Sequence, residues 1–213
     1  MIDHRHPLLL GSGSPRRREI LGSIGLPLVT RPVHVDETPL AGERAAAYLE
    51  RIVAHKLAAL AGSGELGEAG ALLVADTIVL CDDTILGKPG DDEEASAMLR
   101  RLAGRAHVVS TRFAVSAPTA PALALVAETV DTEVWFRPLD EAHIRRYVAT
   151  GEGRDKAGAY AIQGIGGFAV ARIAGSYSNV VGLPACEVVA ALERAGLLCD
   201  FPMARALEDR AGR

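Results

Sequence analysis

Residues 71–80 read ALLVADTIVL, a nearly continuous apolar run that only Asp76 and Thr77 interrupt. Such a run predicts a β-strand. A carboxylate inside so apolar a strand must be paired, hydrogen-bonded or metal-bound, because burial of an isolated charge is costly. Asp76 is therefore a candidate metal ligand or general base. A bulge that brings Asp76 to solvent is the structural alternative, and we favour the functional role.

Helices and strands are predicted on both sides of this strand. Residues 7–10 and the segment GSGSPRRRE at 11–19 predict a strand, a tight turn and a helix, with Ser14 as N-cap and Pro15 at the first helical position. Further helices are predicted over 43–60, 91–104, 140–149 and 184–195, and further strands over 84–86, 107–117, 122–136 and 168–173. This mixed order favours an α/β or α+β sheet that is flanked by helices.

The composition argues against several classes of protein. A net charge of −4 and a pI near 5.9 disfavour broad attraction to nucleic-acid backbones or anionic membranes. The first ten residues hold too short an apolar stretch for a signal peptide, and no run approaches the roughly 20 residues that span a bilayer. The cysteines form no C-x-x-C pair. We expect a cytoplasmic protein of 213 residues, as one domain or as two lobes sharing a cleft.

Positive charge is concentrated at the start of the first helix, in Arg16, Arg17 and Arg18. A cation in the first turn opposes the helix dipole unless an anion is bound. Exposed amides and guanidinium groups at a helix start form a natural phosphate site, and a solvated basic turn is the equally weighted alternative. The segment lacks the G-x-x-x-x-G-K-[ST] pattern of a P-loop and the third glycine of a dinucleotide fingerprint.

Three more charged residues and one segment are candidates for the same site. Lys56 falls on the apolar stripe of its helix, where a lysine needs a partner, although for this residue taken alone snorkelling to the surface is the favoured alternative. Lys88 and Glu37 lie in predicted loops, where charges are usually solvated. The segment DKAGAYAIQG at 155–164 has glycines that permit close approach to a ligand, yet its composition alone slightly favours an ordinary loop.

Together these segments resemble the Maf family along approximately residues 7–195. The matching blocks are GSGSPRRREIL (11–21), VDET (35–38), ADT (75–77), LGKP (86–89), DKAGAYAIQG (155–164) and SNVVGLP (178–184). Because these blocks keep their order and spacing, a chance match is very improbable. Two departures are a glycine in place of the usual alanine at Gly11, and a tail after Gly196 that matches nothing of use.

The resemblance implies a fold and a reaction. The fold is a mixed, twisted sheet flanked by helices, with two lobes around a cleft, shared with the inosine-triphosphate pyrophosphatases and usually found as a homodimer. Family members hydrolyse nucleoside triphosphates between the α and β phosphates with a divalent cation, Mg²⁺ or Mn²⁺. The DKAGAY-IQG block resembles the dTTP/UTP branch, whereas the branch that acts on 7-methyl-GTP differs there.

The resemblance also assigns roles to individual residues. The triphosphate is expected to be held by Ser14, Arg16 and Arg17, with Lys56 and Lys88 across the cleft. Asp76 resembles the family's proton acceptor. The catalytic residues are thus expected to be Asp76, Lys56 and Lys88.

Metal binding and base recognition are the two remaining roles. Glu37 and Asp76 are expected to bind the metal. Gln163 carries an amide that complements the imide edge shared by thymine and uracil, and Arg16 and Thr77 are family specificity positions.

Two other classes of function stay open. One is a non-catalytic nucleotide sensor that restrains cell division through a partner protein, although retention of Asp76, Lys56 and Lys88 favours catalysis. The other is a house-cleaning pyrophosphatase directed at inosine or modified purine triphosphates. Activity on such purines above that on dTTP would identify the second class.

Overall fold

The computed structural model describes residues 1–64 and 66–203, which contain one sheet of seven strands. The strands are β1 (Leu8–Leu10), β2 (Leu28–Thr30), β3 (Ala71–Cys81), β4 (Thr84–Leu86), β5 (Ala106–Ser116), β6 (Val126–Phe136) and β7 (Val170–Ala174). The helices are α1 (Pro15–Ser23), α2 (Ala45–Gly62), α3 (Asp92–Leu102), α4 (Glu141–Ala149), α5 (Tyr177–Val181) and α6 (Ala185–Arg194).

Strand β3 occupies the centre of the sheet, whose order is β2-β1-β3-β5-β6-β7 with β4 also paired to β3. The first three strands run parallel, and every other pairing is antiparallel. One edge of β3 pairs with β5 from Leu72 to Leu80. The other edge pairs with β1 only at residues 71–73 and with β4 only at 79–81. Within the described residues, the edge from 74 to 78 has no strand neighbour, and Asp76 and Thr77 lie in this gap.

Alternate side chains of β3 pack on opposite faces of the sheet, as the pleat requires. Even-numbered residues such as Val74 and Ile78 pack with α2, so we call this the α2 face. Odd-numbered residues on the opposite face belong to two separate cores. One core contains Ala75 with residues of α1 and α6, and the second contains Val79 with residues of α3 and α4. Thr77 therefore lies between two hydrophobic cores.

A buried row of polar groups marks that boundary. The hydroxyl oxygens of Thr77 and Thr111 lie 2.9 Å apart across β3 and β5. Asn179 of α5 is fully buried, and its Nδ2 lies 3.0 Å from each of three acceptors that share its two N–H groups, namely Val109 O, Val130 O and Thr132 Oγ1. Buried polar groups need such partners, so they fix α5 in one place against the sheet.

The predicted mixed sheet flanked by helices is confirmed. The organisation of the chain as one domain over residues 1–213, with two lobes sharing a cleft, stays a prediction. Glu65 and the tail from residue 204 onward lie outside the described residues. No helix in the described ranges is both long and apolar enough to cross a bilayer.

Several element boundaries differ from those predicted. Strand β6 begins at Val126 rather than at 122, because the preceding residues turn, with Leu123 N donating to Ala120 O at 3.0 Å. Strand β7 begins at Val170 rather than at 168, because residues 164–169 form a 3₁₀ helix. Strand β2 and helix α5 are too short to show a periodic pattern, and the sequence does not predict them.

Candidate active site

The start of α1 has the predicted local structure. Ser14 is the N-cap and its hydroxyl accepts from the amide of Arg17 at 3.5 Å, while Pro15 occupies the first helical position. This geometry follows from local chemistry, because an N-cap hydroxyl replaces a missing helical acceptor and proline lacks the amide that would go unpaired there. The cap thereby places Arg16 and Arg17 beside the gap in β3.

Arg17 is buried and its guanidinium is held by protein atoms. Nε donates to Gly182 O at 2.8 Å, Nη1 to Ser12 Oγ at 3.2 Å and Ala75 O at 2.8 Å, and Nη2 to Thr77 Oγ1 at 3.0 Å. A guanidinium has five N–H donors, so four are used and about one remains for a ligand. Burial lowers the pKa of Arg17 from its ordinary value, while the nearby carboxylate of Asp76 opposes that shift.

This arrangement explains why an arginine is buried at the gap. The carbonyl of Ala75 lies on the unpaired edge of β3, and Arg17 supplies the hydrogen bond that a neighbouring strand would otherwise donate. The same side chain reaches the carbonyl of Gly182 just after α5. Arg17 thus joins β3 to the segment that follows α5, in addition to its predicted role in phosphate binding.

Arg16 has different surroundings. Its side chain is partly exposed and makes one long contact, 3.5 Å from Nη1 to Asp155 Oδ2. Its guanidinium is therefore far more available to an anion than that of Arg17. Arg18 is exposed and is not among the residues that line the cleft described below.

A buried ion pair lies at the centre of the α2 face. Lys56 Nζ is 2.7 Å from Asp76 Oδ1 and 2.7 Å from Glu37 Oε1. Lys56 and Asp76 are only 7% and 8% exposed. Lys56 therefore points inward and does not snorkel, and Asp76 has the partner that its apolar surroundings require. This ammonium group holds two carboxylates of different chain segments together.

Glu37 lies on the loop that joins β2 to α2. Tyr48 and Arg51 of α2 hold this loop, since Tyr48 Oη donates to Glu37 O and Arg51 Nη2 donates to Thr38 O, both at 3.1 Å. The pKa of Glu37 lies below its ordinary value. Partial burial opposes ionisation, but the hydrogen bond and charge of Lys56, with the charges of Lys88 and Arg17, outweigh burial.

All the predicted site residues line one cleft of about 610 Å³. Its lining includes Ser14, Arg16, Arg17, Glu37, Lys56, Asp76, Thr77, Lys88 and Gln163. This volume lies within the range of ordinary small-molecule sites. Lys88 and Gln163 are exposed, and neither side chain has a hydrogen bond or ion pair to any part of the chain that the structure describes. Both are available to a ligand.

The geometry of the predicted metal ligands, Glu37 and Asp76, bears on whether they could hold a cation. No group of three or more His, Cys, Asp or Glu side chains is arranged to hold a metal within residues 1–64 and 66–203. Glu37 and Asp76 nevertheless lie close together, since each binds Lys56 Nζ through one oxygen, and within the described residues the second oxygen of each carboxylate has no hydrogen-bond partner. Mg²⁺ is usually held by one or two carboxylates while water and substrate phosphates complete its coordination. Two carboxylates in a cationic cleft fit that donor set.

Sequence patterns do not reveal the residues that hold the far side of the cleft. Tyr147 and Glu152 bind the backbone around Gln163, as described below, yet Glu152 reads as an ordinary loop charge in the segment GEGRD. Asn179 belongs to a matching block, but nothing in the sequence shows that its amide is buried. Only the pairing of distant segments reveals these contacts.

Most of the chain is similar in sequence to known proteins. A family described as Maf-like protein matches residues 7–195. A dTTP/UTP pyrophosphatase of Alcanivorax borkumensis is 48% identical over 191 residues, which cover 89% of this chain and 96% of the relative. One from a Geobacter species is 47% identical over 191 residues, covering 90% of this chain and 96% of the relative.

A solved structure resembles the chain more weakly than these sequence relatives do. A crystal structure of a nucleoside-triphosphatase, a dITP/XTP pyrophosphatase from Mycobacterium abscessus, covers 62% of this chain and 75% of its own. Its TM-score is 0.37 and its sequence identity is 16%, too low to support an argument.

Proposed function

The chain belongs to the Maf family, and from that premise we propose that it is a nucleoside triphosphate pyrophosphatase that hydrolyses dTTP and UTP to the monophosphate and pyrophosphate. The observation that carries this proposal is the cluster of Asp76, Lys56 and Glu37 at the gap in β3, inside a cleft of nucleotide size. The cluster combines a buried carboxylate with fixed positive charge, which hydrolysis of a phosphoanhydride requires.

Cationic groups on two sides of the cleft would hold the triphosphate. Lys88 is exposed and has no partner in the described chain, and Arg16 makes only its long contact with Asp155. Phosphate oxygens would replace solvent around both groups. Arg17 would donate its remaining N–H to a phosphate oxygen, and its positive charge would lie beneath the phosphates. Ser14 would contribute through the helix start that it caps.

Asp76 is suited to accept the proton of the attacking water. Its Oδ1 accepts from Lys56, while Oδ2 has no hydrogen-bond partner among the described residues. The water oxygen would bond to the α-phosphorus as the bond between that phosphorus and the bridging oxygen breaks. The proton passes to Asp76 Oδ2, and pyrophosphate leaves with the bonding electron pair. Lys56 fixes the orientation of the carboxylate, and Lys88 stabilises charge on the leaving group.

We propose Mg²⁺ or Mn²⁺ as the cofactor, with Glu37 and Asp76 as its protein ligands. When bound, the metal would neutralise charge on the phosphate oxygens. Glu37 is partly exposed, and its lowered pKa keeps it anionic near neutral pH, as a ligand for a hard cation must be.

The opposite face of β3 would receive the nucleoside. Gln163 carries a free amide, which can donate to and accept from the imide edge of uracil or thymine. The hydroxyl of Thr77 is already in contact with Arg17, Thr111 and Gly182 O. Thr77 would therefore affect specificity through the shape of the cleft, and Arg16 would act from its position beside Asp155.

A substrate panel tests this function. Purified protein with Mg²⁺ or Mn²⁺ is incubated with canonical and modified triphosphates while pyrophosphate and orthophosphate are both measured. We expect pyrophosphate release that is fastest with dTTP and UTP and that stops with EDTA. Faster hydrolysis of inosine or modified purine triphosphates would indicate the purine-directed enzyme. Tight nucleotide binding without hydrolysis would indicate a sensor.

We also propose that the protein acts as a homodimer in the cytoplasm. The free state of Cys81, Cys186 and Cys199 agrees with a reducing compartment. Light scattering coupled to size-exclusion chromatography tests the assembly. A mass near 45 kDa is expected, since one chain has a mass of 22.4 kDa, and a mass of one chain would contradict the dimer.

A further inference from the structure

The turn that carries Gln163 is fixed on both sides by one pair of side chains. Upstream of Gln163, the amide of Ala161 donates to Tyr147 Oη at 3.2 Å. Downstream, the amides of Ile165 and Gly166 donate to the carboxylate of Glu152 at 2.8 and 2.7 Å. Gln163 is therefore exposed at the centre of a segment that is bound through one amide before it and two amides after it.

The two anchoring side chains are joined to each other. Tyr147 Oη donates to Glu152 Oε2 at 2.9 Å, so this hydroxyl accepts on one side and donates on the other. Tyr147 is 5% exposed and lies in the hydrophobic core with α3 and α4. The core thus positions the tyrosine, the tyrosine positions the carboxylate, and the carboxylate positions the turn. We call Tyr147 and Glu152 the turn anchor.

The glycines of the turn permit this close approach. Gly164 has φ of 78°, and a Cβ atom there would collide with Glu152 Oε1. A Cβ atom on Gly166 would lie 2.6 Å from Tyr147 Oη. Side chains at either position would force the anchor away from the backbone. The backbone of residues 164–166 is therefore shaped to fit this pair of side chains.

The negative charge of Glu152 strengthens its hydrogen bonds to the turn. The pKa of Glu152 lies below its ordinary value: partial burial acts against ionisation, but the amides of Gly166 and Ile165 and the hydroxyl of Tyr147 favour the anion more strongly. Hydrogen bonds to an ionised acceptor are shorter and stronger than those between neutral groups. The anchor holds the turn most firmly when Glu152 is charged.

We propose that Glu152, supported by Tyr147, is a specificity-determining positioning residue that holds the Gln163 amide in place to select a pyrimidine with an imide edge. This inference rests on the proposed function, because it gives Gln163 a base to recognise. Glu152 itself does not line the cleft. Its removal should therefore weaken recognition of the base and leave the chemistry at Asp76 in place.

The test compares Glu152→Gln with the unaltered protein on UTP and CTP. Glutamine keeps the size of the side chain but removes its charge and one acceptor oxygen. Once the turn is released, the bond between Gln163 and the base should be lost. Since one such hydrogen bond is worth roughly a tenfold change in binding, we expect the KM for UTP to rise about tenfold. We expect kcat for UTP and both constants for CTP to change less than about twofold, so that the UTP preference falls.

A matched control lies on α4, the helix that carries Tyr147. Glu141→Gln removes an exposed ion pair with Arg100 by the same chemical change, at a position that does not line the cleft. It should leave the UTP preference unaltered. Tyr147→Phe is a second variant that removes the hydroxyl but keeps the ring in its core, and it should lower the UTP preference in the same direction.

Amide hydrogen exchange provides a readout without substrate. Ile165 and Gly166 should exchange faster in Glu152→Gln than in Glu141→Gln, while amides of β3 keep their protection. An unchanged UTP preference in both anchor variants would overturn the inference, as would an equal loss of kcat/KM for UTP and CTP. Failure of the unaltered protein to hydrolyse UTP or dTTP would instead overturn the proposed function and the inference with it. That failure is visible without any variant.

Discussion

The two faces of β3 at Asp76 and Thr77 have different chemistry although the residues are adjacent. On the α2 face, Asp76 lies in a cluster of charges with Lys56 and Glu37. On the opposite face, Thr77 lies between two hydrophobic cores, where its hydroxyl contacts the hydroxyl of Thr111 and accepts from the guanidinium of Arg17, and no carboxylate of the described residues bonds to it. Under the proposed function, strand alternation would place the reacting groups and the groups that recognise the substrate on opposite faces of one dipeptide. Substitutions on the α2 face should alter turnover, and those on the opposite face should alter stability and substrate choice.

The largest effect is expected on the α2 face. Asp76→Asn should fold normally, because its amide oxygen can still accept from Lys56 and Glu37 still pairs with that lysine. Loss of the proton acceptor should lower kcat about a thousandfold, within the range for general base catalysis. Steady-state kinetics with UTP measures the change.

The control for Asp76→Asn is Asp82→Asn in the turn after β3, an exposed site whose positive φ suits asparagine. This control should keep kcat near that of the unaltered protein. An Asp76→Asn variant with near-normal kcat would remove Asp76 from the mechanism.

Arg17 and Arg16 offer the next comparison. Arg17→Lys should lower the free energy of unfolding by about 3 kcal/mol, because a lysine cannot replace four directed bonds to Gly182, Ser12, Ala75 and Thr77. Arg16→Lys should raise KM with little loss of stability. Urea unfolding of both variants measures the difference, and equal stabilities would show that Arg17 does not support the gap in β3.

A smaller effect, on the choice of substrate, is expected from substitution of Gln163. Gln163→Glu replaces a donor with a carboxylate that repels the O4 and O2 edge of the base, so discrimination for dTTP and UTP should fall about tenfold. The ratio of kcat/KM for UTP to that for CTP measures it. An unchanged substrate profile would count against base recognition by Gln163.

The opposite face should also make stability depend on pH, through His107. His107 is 3% exposed, its Nε2 lies 2.8 Å from Tyr160 Oη, and burial lowers its pKa to about 4. Between pH 6.5 and 4 the unfolded chain binds a proton that the folded protein does not. The contribution of His107 is therefore fully present above about pH 6.5 and is lost as pH falls towards 4, up to about 3 kcal/mol.

His107→Gln isolates this contribution, because glutamine does not titrate. The unfolding free energy of the unaltered protein should fall more steeply than that of the variant from pH 6.5 to pH 4.5. Parallel pH profiles would show that His107 is not held neutral by burial.

Local signals in the sequence were sufficient for part of this architecture. The start of α1 could be predicted from Ser14 and Pro15, since capping depends on neighbours in the chain. Asp76 could be identified because a charge in an apolar strand needs a partner. All nine predicted site residues line one cleft, although their individual roles stay predictions.

Long-range contacts account for what the sequence did not reveal. The inward position of Lys56 depends on Glu37 and Asp76, which come from separate segments. The bonding of the Arg17 guanidinium to protein atoms depends on the carbonyl of Gly182, which follows α5. The start of β6 was misplaced because residues 122–125 are apolar but form a turn, and apolar character alone does not distinguish the two.

The most direct test of the central claim is hydrolysis of UTP in water enriched in oxygen-18, followed by mass spectrometry of both products. In the proposed mechanism the attacking water lies beside Asp76 and its oxygen bonds to the α-phosphorus. This mechanism predicts one labelled oxygen in the uridine monophosphate and none in the pyrophosphate. Label in the pyrophosphate, or release of labelled orthophosphate, would contradict it.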